Sequence, residues 1–183
     1  MPEDWPKAAE RRKRYHQMPE QFYSTTGYCV VTPDNCEAFL QIHRRWMALT
    51  GKCITWDFWE MWAGTARSST TAYQQELITG FPVDLRYGWN LHDKSHRRLL
   101  EAVDDLFKPK ATMSVCECKR WSKSSNTADP TDKAAGRLSE LPMLLWLVKH
   151  CKKLMRSERI FIIENHSSAS LFLRTRPCPS WST

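Results

Sequence analysis

The chain alternates between short runs of strand formers and stretches with helical spacing, and this alternation narrows the folds open to it. Ile54 to Trp62 is rich in strand formers and runs into the small-residue turn Ala63-Gly64-Thr65-Ala66. Arg67 to Glu76 reads as a polar helix and Gly80 to Leu85 as a short strand ending in an acid, Asp84. Ser95 to Phe107 follows as a helix with Leu99, Leu100, Val103, Leu106 and Phe107 on one side. Lys110 to Val115 reads as a strand and Ser139 to Arg156 as an amphipathic helix, with Ser139 as its N-cap and Pro142 in its first turn. Arg159 to Glu164 reads as an apolar strand, Ile160-Phe161-Ile162-Ile163 between two charged ends, the pattern of the fully buried type. Strands and helices in strict alternation predict an α/β layer with a largely parallel sheet.

The segments before and after fit around that layer. Residues 1–50 read as a helical N-terminal arm. Its first helix carries Arg11-Arg12-Lys13-Arg14 and then Tyr15, Met18 and Phe22; its second opens after Thr32-Pro33-Asp34, with Asp34 as N-cap. The basic run is either a solvated helix face or a phosphate-binding patch. Residues 51–173 form the α/β domain and 174–183 a loose tail. Between Cys116 and Lys133 the chain is rich in Ser, Thr, Asp and Lys, a long loop of the kind that often serves as a lid.

Composition bounds the rest. Nine tryptophans and 42% hydrophobic residues exclude a disordered chain. The net charge of +7 suits a nucleic-acid partner through phosphate attraction, and equally a basic protein with no such partner. Seven cysteines occur without a CxxC pair, which speaks against a zinc ribbon and for a reduced, intracellular chain in nucleus or cytoplasm. No apolar run reaches the roughly 18 residues of a membrane span.

In an open parallel sheet, ligands bind where the strands end at their carboxyl side. The Gly64 turn would let backbone amides approach a ligand next to a helix N-terminus, or is an ordinary strand-to-helix turn. Asp84 can accept hydrogen bonds from the two hydroxyls of a ribose, or cap a turn. Cys118 is flanked by Lys119 and Arg120, cations that favour a thiolate. Glu164, at the end of a buried strand, is expected to be partly desolvated and suited to donating a proton. A thiolate and a proton-donating carboxyl on neighbouring strand ends suit nucleophilic attack on a ring.

The series Trp59-Glu60-Met61-Trp62-Ala63-Gly64-Thr65, Asp84, Cys118-Lys119-Arg120-Trp121-Ser122 and Phe161-Ile162-Ile163-Glu164-Asn165 resembles the ordered motifs of C5-cytosine DNA methyltransferases. It resembles most the methyltransferase-like segments of retroelement-type polyproteins of algae and protists. The resemblance covers about residues 54–172. It implies a truncated Rossmann-like, S-adenosylmethionine-dependent methyltransferase fold that acts on DNA. Glu60, Ala63, Gly64, Thr65, Asp84 and Asn90 would bind S-adenosylmethionine. Cys118 would attack C6 of a flipped-out cytosine, with Glu164 at N3 of the ring and Asn165 helping to hold the loop or base; no metal is implied. The sequence departs from the pattern at Ala66, where a second glycine is usual, at Asn90, where an acid is usual, at Glu117, which replaces a proline, and at His166. With no target-recognition segment, a partner chain would be needed to read DNA. An enzyme and an inactive copy both stay open, as does a non-catalytic nucleic-acid-binding or structural segment of a mobile-element polyprotein.

Overall fold

A computed structural model describes residues 31–115 and 129–164. In chain order the elements are α1 (Pro33–Thr50), β1 (Phe58–Met61), α2 (Arg67–Gln74), a 3-10 turn (Leu85–Tyr87), α3 (Lys94–Phe107), β2 (Ala111–Ser114), α4 (Pro130–Arg156) and β3 (Ile160–Ile163). The three strands form one parallel sheet in the order β1-β2-β3. The architecture is therefore of the α/β type expected from the alternation. The first helix of the expected arm lies outside the described residues, as do the 116–128 part of the loop and the tail.

The expected strand over 80–85 is not a strand. It survives as two parallel bridges to β1, Phe58 with Thr79 and Met61 with Val83. Pro82 has no N–H to give to a ladder, and Asp84 turns the chain into the 3-10 turn by accepting from the Arg86 N–H at 3.0 Å. These bridges still matter for topology. The chain leaves β1, returns on one side of it at 79–83, then crosses through α3 to lay β2 on the other side. β1 is thus a switch point, where a parallel sheet opens a crevice at its carboxyl edge.

Register places Trp59, Met61, Thr112 and Ser114 on one face of the sheet and Phe58, Glu60, Ala111, Met113, Ile160 and Ile162 on the other. The first face is covered by α3 and α4 and holds the aromatic core. Trp56 stacks on Phe107 with centroids 4.3 Å apart, and Trp59 meets Trp56 and Phe81 edge-on. From α1, Cys36, Phe39, Leu40 and His43 enter the same core, so residues 33–50 are built into the domain and do not stand off from it. Burial pushes the Cys36 thiol up to about 12, with Glu37 adding to it, and pulls His43 down to about 4 against the bond from its Nδ1 to the Phe39 carbonyl. Both are neutral core groups.

The second face is covered at β1 by α2 and left open towards β3. Ile160, 60% exposed, and Ile162 are exposed on this face, and Ile163 is exposed on the other. The expectation of a fully buried last strand is therefore wrong. An apolar run marks a strand, but burial needs a layer on each face, and β3 is an edge strand among the described residues.

Helix ends correct the sequence reading twice. α1 is capped by Thr32, two residues before Asp34, with Pro33 in its first turn and Asn35 Oδ1 accepting from the Thr32 N–H at 2.9 Å. α4 begins at Pro130, capped by Asp129, whose carboxylate accepts from the Thr131 N–H at 2.7 Å. Pro142 consequently lies inside the helix, and Ser139 donates to the Gly136 carbonyl instead of capping.

α3 ends on Lys108, an exposed residue held at φ 45°, where its N–H closes on the Asp104 carbonyl. The left-handed region costs a side-chain-bearing residue about 1–2 kcal/mol, more than glycine loses in the unfolded chain. Lys108→Gly is expected to stabilise the fold by about 0.5–1 kcal/mol, seen as a higher urea midpoint at unchanged slope.

Candidate functional site

A cleft of about 480 Å3 opens at the carboxyl edge of β1 and β2. Its floor is the turn after β1, where Trp62, Gly64 and Ala66 take φ values of 56°, 54° and 54°. Only one of the three is a glycine, so the other two hold a strained conformation. One wall is the 84–92 segment, contributing Asp84, Arg86, Trp89 and Asn90; Val115 at the end of β2 and Glu140 and Met143 of α4 line the cleft too.

Asp84 joins floor to wall. Its Oδ2 accepts from the Gly64 N–H and its Oδ1 from the Arg86 N–H, both at 3.0 Å. The two readings of this acid are thus not exclusive: it caps a turn and it faces the cleft. Each carboxylate oxygen has a second lone pair, so two further donors can be received. The Gly64 amide, by contrast, is spent on Asp84. Trp89 is fixed behind the wall, stacked on Phe81 and donating through Nε1 to the Val31 carbonyl at 2.8 Å.

Of the residues singled out for a cofactor, Gly64, Asp84 and Asn90 line this cleft. Glu60, Ala63 and Thr65 are not among its lining residues. Ala63 is buried with its N–H on the Val83 carbonyl, and Thr65 is exposed. Glu60 is only 3% exposed, and its Oε2 accepts from both the N–H (2.8 Å) and the hydroxyl (2.7 Å) of Ser69. Ala66, which precedes α2, has no side chain able to cap it. Glu60 supplies from the preceding strand the negative oxygen that the first turn of α2 lacks.

Cys118 and Asn165 lie outside the described residues. Glu164 is exposed, with its N–H on the Ser114 carbonyl at 3.0 Å, and it does not line the cleft. The expected desolvation of this acid fails for the same reason as the burial of β3: nothing described packs over the outer end of the sheet.

Sequence reasoning missed Trp62, Trp89, Glu140 and Met143. Trp62 stood in the motif series with no role of its own, and the α4 residues reach the cleft from a later helix than the turn and the wall they face, which local pattern cannot reveal. Among the described residues no group of three or more His, Cys, Asp or Glu could hold a metal, and no helix is long and apolar enough to cross a membrane.

No family model, no curated protein and no solved structure matches the chain.

Proposed function

We propose that the cleft is a nucleoside-cofactor site for S-adenosylmethionine in a methyltransferase-like protein of the C5-cytosine DNA type. The observation that carries the reading is convergence. Gly64, from the turn after β1, and Asp84 and Asn90, from the 84–92 segment some 20 residues further on, meet in one cleft at the switch point of a parallel sheet. The volume of the cleft falls within the range of small-molecule sites, roughly 300–1,000 Å3. The free lone pairs of Asp84 suit the two hydroxyls of a ribose, and the Asn90 side chain offers both a donor and an acceptor. Val115 lines the cleft three residues before Cys118, so the proposed nucleophile belongs to a segment that starts at the cleft edge. S-adenosylmethionine, when bound, supplies an electrophilic methyl group. The chain would supply the Cys118 thiolate as nucleophile and Glu164 as hydrogen-bonding partner of the base.

Titration calorimetry with S-adenosylmethionine tests this. Binding is expected in the full chain, weakened about tenfold or more in Asp84→Ala, the equivalent of about 1.4 kcal/mol. No heat at millimolar cofactor would overturn the reading. If methyl transfer to cytosine-containing DNA is then detected, Cys118→Ser is expected to abolish it and spare cofactor binding.

The exposure of Glu164 favours a second reading, in which the cleft binds its cofactor and no transfer follows. In that case the basic chain would act as a nucleic-acid-binding module, recognisable by salt-dependent DNA affinity that Cys118→Ser leaves unchanged.

A further inference from the structure

α4 is apolar on two opposite sides. One side carries Met143, Leu147, His150 and Leu154 into the core. The other carries Leu138, Leu141, Leu145, Val148 and Met155, all exposed, with Leu138 at 70% and Leu145 at 60%. A surface helix ordinarily has one apolar stripe, and a helix apolar all round is a buried one. The outer stripe also has a definite period. Leu138, Leu141, Leu145, Val148, Lys152 and Met155 follow one another at intervals of three, four, three, four and three residues. That is the a/d seam of a heptad repeat, kept over about 26 Å of helix. Its width matches another helix, whereas an interfacial membrane helix uses a broader face with Trp or Phe in it.

Charge selects among helical partners. From Leu141 to Arg156 the helix has no acidic residue. Exposed Lys149, Lys152 and Arg156 lie along or within the outer stripe. Two copies of this stripe, paired in either direction, would bring cations against cations or leave Lys152 and Arg156 unanswered, Lys149 already having the Glu101 carboxylate at 4.0 Å. Glutamates or aspartates beside an apolar seam would meet them, as charges flanking a coiled-coil seam do. We propose that the outer stripe of α4 docks an amphipathic helix of another protein, with leucine-type residues in its seam and acidic residues on its flanks.

The test uses the full chain and two fluorescent synthetic helices of about four heptads. Both carry leucine and isoleucine at a and d; one has glutamate at e and g, the other lysine. The glutamate helix is expected to bind at least about tenfold more tightly than the lysine helix, with the difference shrinking as salt is raised. Leu145→Asp, at a position 60% exposed, is expected to leave the circular dichroism spectrum unchanged and to weaken binding at least tenfold. Equal binding of the two helices, or none, would overturn the proposal. So would a concentration-dependent dimer that Leu145→Asp dissolves, which would make a second copy the occupant. Binding to anionic phospholipid vesicles that Leu145→Asp abolishes would assign the stripe to a membrane surface instead.

Discussion

Asp104→Ala is expected to destabilise the fold by about 3–5 kcal/mol, enough to lower the melting temperature by roughly 10 °C in a domain of this size. The side chain of Asp104, on α3, is fully buried, and it receives both Nη groups of Arg159 at 2.8 and 3.0 Å and the Lys153 ammonium at 2.6 Å. α3, α4 and the start of β3 are tied through this one carboxylate. Its removal would leave the Arg159 guanidinium, 11% exposed, charged and unanswered. Asp105, which shares Lys153 but is 69% exposed, is the control, and Asp105→Ala is expected to cost under about 1 kcal/mol. The pH dependence has a fixed sign. Burial raises the pKa of Asp104, but the hydrogen bonds from Arg159 and Lys153 and the nearby positive charges outweigh it, so the net shift is downward. A carboxyl lowered in the folded state binds its proton more readily when unfolded. Its contribution is complete above the ordinary value of 3.8 and is lost as pH falls through the lower folded value. Urea titrations of the wild-type chain and of Asp104→Ala should therefore differ most near neutrality and converge in acid; a gap that widened in acid would contradict this account.

Gly80→Ala should be nearly as damaging, about 3 kcal/mol, although it adds one methyl group. A Cβ at Gly80 would fall within the envelope of the Trp56 ring and 2.6 Å from Cδ1 of Trp59. Neither indole has room to retreat. Trp56 is stacked on Phe107, and Trp59 is held by its Nε1 on the Phe81 carbonyl at 3.0 Å. The backbone is equally fixed, because the Gly80 N–H donates to the Phe58 carbonyl at 2.9 Å. Chemical denaturation followed by tryptophan fluorescence would measure the loss. A wild-type midpoint would show that the chain at 79–83 can move away from β1.

What the amino-acid pattern revealed was whatever each segment encodes for itself. The α/β alternation, the helix ending at Phe107 and the strand over 111–114 were all legible, because helical spacing and strand-forming composition are local properties. The start of α4 was hidden in a stretch of Ser, Thr and Asp that looks like a loop; its signal was Asp129 followed by Pro130, a cap with proline in the first turn. Ile160 to Ile163 gave the strand but not its exposure, since burial depends on what other parts of the chain lay over it. The candidate site divides in the same way. Gly64, Asp84 and Asn90 line one cleft, whereas Glu60, named by the family resemblance, lies outside the lining with its carboxylate on Ser69 of the next helix, a pairing that local pattern does not show.

The bond from the Gly64 amide to Asp84 carries one further meaning. It staples together two loops 20 residues apart in the chain, and the second carboxylate oxygen clamps the start of the 84–92 wall. The floor of the cleft and its 84–92 wall are therefore fixed to each other within the protein itself. The entropy of ordering these two loops against one another is surrendered during folding and need not be met again at the cleft.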